Sequence, residues 1–124
     1  MTIKEYFSST NGKGVLSTSD SSGNVDSAIY AKPHFMDDGS LAFIMRDRLT
    51  HHNLNSNPNA VYLFIEDGNG YKGKRLFLKK LKEEENSPLI KEIQRRSYDL
   101  EPGENRYLVF FEISKELPLV GSGQ

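Results

Sequence analysis

The segment "MRDRLTHHNLNSNPNAVYLFIED", residues 45–67, concentrates cationic and hydrogen-bonding side chains between two apolar runs. Two arginines come first, and two adjacent histidines and an asparagine follow Thr50 directly. Side chains of these types can bind a metal ion, hold an anion such as phosphate, or only cap a helix. The spacing within the segment and the rest of the chain decide among these possibilities.

A metal site is the least supported possibility. If His51 and His52 lie in a helix, their side chains point about 100° apart, so they do not share a face as an i, i+4 pair does. His34 is the only other histidine, and the chain has no cysteine to supply a thiolate ligand or nucleophile. We therefore expect no metal.

Phosphate fits the same residues better. A helix N-terminus carries unpaired N–H groups and a positive dipole end, and Arg46 and Arg48 stand directly before the predicted helix start at Thr50. In the other interpretation, Thr50 only caps the helix, and the arginines are solvated or pair with Asp47. The local pattern leaves both interpretations open.

A second basic stretch, "YKGKRLFLKKLK" at residues 71–82, holds six cations and no acidic residue. On a small barrel such a stretch can bind single-stranded nucleic acid by stacking and attraction to the backbone. It can also be an exposed strand whose lysines discourage edge pairing, with three glutamates following at residues 83–85. The net charge of -1 favours the second interpretation.

The elements that must position these side chains are mostly strands. Alternating or continuous apolar patterns predict six strands, at residues 14–19, 25–32, 41–45, 60–66, 74–83 and 106–114. The first two are at hairpin distance and should pair antiparallel. The third and fourth are apolar on both faces and should therefore lie centrally in the sheet.

Three helices accompany the strands. The first is predicted at residues 2–9, the second at residues 50–57 with Thr50 as its N-cap, and the third at residues 88–98 with Pro88 at its first position. Six short strands with few helices predict a mostly β fold, a closed antiparallel barrel with small helices, because closure removes exposed edges.

Length, charge and composition indicate the number of domains, the classes of partner and the location to expect. The 124 residues suit one domain over residues 1–124, with an N-terminal helix and turn at 1–13 and a tail at 118–124. The net charge of -1 disfavours nucleic acid and anionic membranes as partners. No apolar run reaches membrane-spanning length, and the N-terminus has no apolar leader, so we expect a soluble, cytoplasmic protein.

The order of these elements resembles a known family. The strand pair "GVLSTSDSSGNVDSAIYA", the strand "GSLAFIM" and the segment "RDRLTHHNLNSNPNAVYLFIE" are similar to the FMN-binding split barrels of the pyridoxamine 5'-phosphate oxidase-like group. The likeness covers about residues 2–117 and depends on order and spacing more than on an invariant signature. It implies a six-stranded antiparallel split barrel that binds FMN at the interface of a homodimer.

The resemblance also implies site residues by position. Those near the phosphate would be Arg46, Arg48, Thr50, His51 and Asn53. Those near the flavin ring would be Ser27, Ala28, Ile29 and Tyr30. A third group, Tyr71, Lys72 and Arg75, would border the same cleft, from the same subunit or its partner.

The implied activity is flavin-dependent oxidoreduction of an unknown small molecule or redox partner. The C-terminus, "FFEISKELPLVGSGQ", lacks the arginine and histidine of the substrate motif of true pyridoxamine phosphate oxidases, so that reaction is not expected. No residue pair singles itself out as a general acid or base. A non-enzymatic electron carrier or flavin store is one alternative, and a nucleic-acid-binding barrel is another.

Overall fold

The computed structural model describes residues 1–93 and 104–121. Within these ranges the chain forms seven strands and three helices. In chain order the elements are α1 (Ile3–Ser9), β1 (Gly12–Ser19), β2 (Val25–Tyr30), β3 (His34–Phe35), β4 (Leu41–Arg46), α2 (Leu49–Ser56), β5 (Asn59–Glu66), β6 (Gly73–Glu85), α3 (Pro88–Ile93) and β7 (Arg106–Pro118).

The strands form one antiparallel sheet in the order β2-β1-β5-β6-β7-β4-β3. The sheet curls until its two ends approach each other, and the ring of Tyr30 on β2 packs edge-on against that of Phe43 on β4 at 5.8 Å. The predicted mostly β, antiparallel split barrel is confirmed. The expectation of full closure is wrong, because no described strand pairs with the outer edge of β2.

The additional strand, β3, is too short to be detected from periodicity. Its two residues pair only with Leu41 and Ala42, the first two residues of β4. The remaining edge of β4, from Phe43 to Arg46, has no neighbouring strand on that side in the described part of the chain. The barrel is therefore open between β2 and the second half of β4.

The barrel interior explains why the strands alternate. Leu16, Tyr62, Phe64 and Phe111 are fully buried there, whereas their neighbours along each strand point outward. The predicted hairpin of β1 and β2 is confirmed, with pairs running from Gly14 and Tyr30 to Ser19 and Val25. Burial of the inward apolar side chains stabilises the curled sheet.

The two apolar strands differ in how their outer faces are covered. Behind β4, Ala42 packs in a second apolar cluster with Ile90 of α3 and with Leu108 and Phe110 of β7. The outward residues of β5, such as Val61 and Leu63, are only half-buried. The predicted central position is confirmed for β5, which lies between β1 and β6, and is wrong for β4, which lies next to the edge strand β3 and whose second half is itself an open edge of the sheet.

The helices begin close to where the sequence places them. Thr2 caps α1 in a capping box with Glu5. The predicted cap of α2 is wrong, because Arg48 adopts the extended N-cap conformation and the helix already begins at Leu49. α3 begins at Pro88 as predicted, and the predicted continuation at residues 94–98 lies outside the described residues. None of the helices in the described ranges could cross a membrane.

Candidate functional site

A cleft lies at the open side of the barrel, between β2 and β4. Its volume is about 310 Å³, and the residues that line it are Ile29, Tyr30, Ile44, Arg46 and Arg48. The unpaired backbone edges of β2 and of the second half of β4 border the same opening. Two arginines, two branched apolar side chains and one aromatic ring therefore converge here from three separate elements.

The arginines stand where the sheet passes into a helix. Arg46 ends β4, and Arg48 is the N-cap of α2. Arg48 makes no side-chain capping bond, so no capping side chain occupies the helix N-terminus. The guanidinium side chains are 41% and 66% exposed, respectively. The N–H groups of the first helical turn and the two long, cationic arginine side chains contribute positive potential at this end of the cleft.

One carboxylate lies between the two arginines. Glu104 Oε2 is 3.8 Å from Arg46 Nε, and Glu104 Oε1 is 3.5 Å from Arg48 Nη2. Both separations exceed the roughly 2.7–2.9 Å of a charge-assisted hydrogen bond. Glu104 Oε2 is buried without a hydrogen-bond partner among the described residues, and so is Nη2 of Arg106, which lies opposite Arg46 in the sheet.

Thr50 is turned toward β2 and anchors the helix there. Its hydroxyl lies 3.5 Å from Asp26 Oδ2. Burial raises the pKa of Tyr30, a hydrogen bond with Thr50 opposes that rise, and the charge of Asp26 adds to it. The Tyr62 hydroxyl donates to the Tyr30 carbonyl oxygen at 3.1 Å. Thr50 thus helps to position the cleft wall formed by Tyr30.

His51 is buried beneath the cleft and does not line it. Its Nδ1 lies 3.1 Å from Asp47 Oδ1, and its Nε2 lies 3.0 Å from Glu83 Oε2. The ring stacks on Tyr107, with centroids 3.9 Å apart and planes at 17°. Both nitrogens can donate to these carboxylates only in the imidazolium form. The side chain connects the start of α2 to β6 and β7.

Glu83 completes this anchor from β6. Burial raises its pKa, but hydrogen bonds from Lys80 and His51 outweigh that effect, and the pKa of Glu83 is lowered overall. Lys80 Nζ donates to Glu83 Oε1 at 2.6 Å. Asn53, also predicted near the phosphate, is buried and donates from Nδ2 to Thr18 Oγ1 at 3.1 Å. The polar side chains on the inner side of α2 therefore hold the helix in place.

Of the four predicted residues on β2, two reach the cleft. Ile29 and Tyr30 line it, and Ile29 is 76% exposed. Ser27 lies on the outer face of the sheet, where its hydroxyl is 2.8 Å from that of Ser17. Ala28 lies opposite Leu16 on the next strand and is half-buried.

The third predicted group lies away from the cleft of its own chain. Tyr71 is 84% exposed, and Lys72 is exposed beside it, between β5 and β6. Arg75 donates from Nε to the Pro118 carbonyl oxygen at 2.9 Å. In the sheet register Arg75 and Ile29 stand in one row with β1 and β5 between them, a separation of about 14 Å for three strand spacings.

Comparison of this geometry with known proteins identifies the fold. No family model matches the sequence, and no curated protein matches it. An FMN-binding protein from Syntrophomonas wolfei superimposes with a TM-score of 0.70 at 20% identity, over 93% of this chain and 82% of that one. The heme-storage protein HutZ from Vibrio cholerae gives 0.71 at 15% identity, over 98% and 96%. A candidate pyridoxamine 5'-phosphate oxidase from Lactobacillus delbrueckii gives 0.67 at 13% identity, over 94% and 93%.

This chain has the split-barrel fold of the pyridoxamine 5'-phosphate oxidase-like proteins. The resemblance inferred from the order of elements is thereby confirmed at the level of the fold. In this split barrel, the features that sequence reasoning missed at the cleft are Ile44 and Glu104. Glu104 is remote from the arginines in sequence, and only the pairing of β4 with β7 brings its segment to them.

The described residues contain no group of three or more histidine, cysteine or acidic side chains placed to hold a metal ion. His51, Asp47 and Glu83 are close together, but the carboxylates lie on opposite nitrogens of the ring. That arrangement forms hydrogen bonds on two sides of the imidazole and does not converge on one point. The cleft at the open side of the split barrel is therefore the candidate site.

Proposed function

We propose that this split barrel is an FMN-binding flavoprotein that serves as a flavin-dependent oxidoreductase. The observation that carries the proposal is the pair of arginines at the N-terminus of α2, directly beside the unpaired edge of β2. Guanidinium groups and first-turn N–H groups are suited to a phosphate dianion. Arg46 and Arg48 would bind that phosphate, and Ile29 and Tyr30 would border the flavin ring.

The lining of the cleft fits such a ligand chemically. Ile29, Ile44 and the ring of Tyr30 provide apolar and aromatic surface, whereas the cations are confined to the end formed by β4 and α2. Sites for cofactors combine an apolar lining with a few polar groups that fix orientation. Bound FMN would supply the electron or hydride transfer, and the protein would hold and orient it. The substrate is proposed as a small molecule or a protein redox partner.

We also propose a homodimer, from the outer face of the sheet. Apolar residues of β1, β2, β5 and β6 lie half-buried or exposed on this face: Val15, Val25, Ile29, Val61, Leu63, Ile65 and Phe77. An exposed group of apolar side chains of this kind is typical of an interface. A second copy packed on it would cover these side chains, and Tyr71, Lys72 and Arg75 of the partner subunit would border the cleft.

A spectrum of the purified protein after addition of FMN tests cofactor binding. We expect quenched flavin fluorescence and shifted flavin absorption bands at stoichiometric protein. Reduction by NADH or NADPH with turnover then separates an oxidoreductase from the alternative, a flavin carrier or store. Because one fold neighbour is a heme-storage protein, hemin is the second ligand to test. A shifted heme band together with unchanged FMN fluorescence would overturn the flavin proposal.

Dilution tests the homodimer. If each FMN contacts both chains, FMN will stabilise the dimer, because it binds only the associated state. Light scattering at falling protein concentration, with and without FMN, measures this linkage. Leu63→Lys places a charge on the proposed interface and should shift the equilibrium toward monomers. A wild-type protein that stays monomeric and still binds FMN at full strength would contradict the two-chain site.

A further inference from the structure

The carboxylate of Glu104 contacts Arg46 and Arg48, the two cations that would bind phosphate in the proposed function. Its carboxylate reaches Arg46 with one oxygen and Arg48 with the other, at 3.8 and 3.5 Å. A phosphate that accepts hydrogen bonds from these guanidinium groups must therefore take the position of the Glu104 carboxylate or share its donors. The two anions cannot both occupy the space between the arginines without strong repulsion.

The contacts of Glu104 are weak for an ion pair in this position. Neither separation is short enough for a charge-assisted hydrogen bond, and Oε2 is buried without any hydrogen-bond partner among the described residues. Leaving a buried acceptor unsatisfied is costly. Arg48 is 66% exposed, so its guanidinium group has room to turn from the carboxylate to another anion.

A phosphate would satisfy the donors better than the carboxylate does. It carries up to two negative charges and three terminal oxygens, so each arginine can form its own hydrogen bonds. The displaced carboxylate has another cation close in the chain, because Arg106 follows two residues later. Nη2 of Arg106 is buried and has no hydrogen-bond partner in residues 1–93 and 104–121.

We propose that Glu104 is an internal competitor for the phosphate-binding arginines, so that a phosphate-bearing ligand binds by displacing its carboxylate. This inference rests on the proposed function only in the identity of the ligand. Glu104 lowers the affinity for the phosphate and makes the ligand easier to release. A chain built in this way exchanges its cofactor with the surrounding pool more readily than one whose arginines have no competing carboxylate.

Glu104→Gln tests the proposal, because it removes the charge and keeps the size of the side chain. The matched control is Glu116→Gln, which removes a carboxylate that pairs with Lys74. FMN, riboflavin and inorganic phosphate are titrated into each variant and the wild type. We expect Glu104→Gln to bind FMN and inorganic phosphate about three- to tenfold more tightly, with riboflavin and the control unchanged.

The outcomes separate the two proposals. Tighter binding of phosphate by Glu104→Gln, with no FMN binding in any variant, would support the competitor and overturn the flavoprotein. FMN binding by the wild type that is unchanged or weakened in Glu104→Gln would overturn the competitor alone, since Glu104 would then only orient the arginines. Binding of neither ligand by any variant would overturn both. Titration of Glu104→Ala with the same ligands checks that the direction of the affinity change does not depend on the amide that glutamine introduces. Thermal unfolding of Glu104→Ala checks that the variant is folded.

Discussion

The chain has two cationic regions, and they differ in how their charges are partnered. On β6, Lys80 pairs with Glu83 at 2.6 Å and Lys82 with Glu84 at 3.3 Å, while Lys74 pairs with Glu116. Arg75 donates to the backbone carbonyl oxygens of Pro118, at the end of β7, and of Gly121. Most of the positive charge in this stretch is thus already neutralised or hydrogen-bonded within the described residues.

At the cleft the balance is reversed. Arg46 and Arg48 share the single carboxylate of Glu104, and neither contact has hydrogen-bond length. The helix N-terminus adds further positive potential at the same point. The comparison teaches that the count of cations in a segment is a poor guide to anion binding. What matters is how many of those cations already have well-placed partners.

The largest expected effect comes from removing a cation at the cleft. Arg48→Ala should weaken FMN binding about tenfold to a hundredfold, because a charge-assisted hydrogen bond contributes roughly 1.5–3 kcal/mol. Riboflavin, which has no phosphate, should bind with unchanged affinity. The matched substitution on β6, Lys82→Ala, should change neither affinity. Flavin fluorescence titration measures all four values, and equal losses in the two variants would end the distinction between the regions.

A second prediction concerns the buried anchor below the cleft. Glu83→Gln should lower the free energy of unfolding at neutral pH by about 1–2 kcal/mol, because Lys80 and His51 lose a charged acceptor. The pKa of Glu83 is lowered from its ordinary 4.5, so its contribution is complete above that value and is lost as the pH falls through the lowered pKa.

Urea unfolding of the wild type and Glu83→Gln at neutral pH and in acid measures this difference. The two proteins should converge in acid. Glu116→Gln is the control for an exposed pair between β6 and β7, and it should cost less than about 0.5 kcal/mol at any pH. A deficit in Glu83→Gln that persists unchanged in acid would mean that packing, and not charge, sets the contribution of Glu83.

Ionic strength should have a smaller effect, which separates recognition of the phosphate from recognition of the flavin ring. Raising the salt concentration from about 0.05 to 0.5 M should weaken FMN binding about three- to fivefold, because the cleft arginines are partly exposed and salt screens them. The affinity for riboflavin should stay constant over the same range. An equal response of both flavins would show that salt acts on the protein and not on phosphate recognition.

The smallest expected effect is at the β6 stretch itself. A fluorescent single-stranded oligonucleotide should show no specific anisotropy change at physiological salt, because the lysines there are largely paired. Tight, salt-sensitive binding that is lost in Lys79→Ala would contradict this expectation. It would restore the nucleic-acid-binding interpretation of the stretch.

Periodicity was sufficient to predict a mostly β, antiparallel fold, whereas the split barrel followed from the resemblance to a known family. The strands on either side of the "DSSGN" turn, the two apolar strands and the sites of the three helices follow from local patterns. Local patterns did not predict β3, because two residues are too few to show a periodicity. They also did not predict the N-cap at Arg48, because it depends on a backbone conformation. The opening of the barrel follows from β3 covering only part of β4.

Residue type and position along the chain pointed to Arg46 and Arg48, and the family resemblance implied Ile29 and Tyr30. All four line the cleft, and their role in binding stays a prediction. The inward orientation of His51 depends on Glu83, which is 32 residues away in sequence and acts through a contact no local pattern reveals. The sequence also could not place Glu104 on the arginines, because that contact requires the register of β4 with β7.

The most direct test of the central claim is a comparison of FMN with riboflavin on the wild-type protein. The two ligands share the ring and the ribityl chain and differ in the phosphate. If the arginines at the start of α2 carry recognition, FMN should bind at least about tenfold more tightly, as expected for one charge-assisted interaction. Equal affinities for the two flavins would contradict the claim that this cleft is built to hold a phosphate.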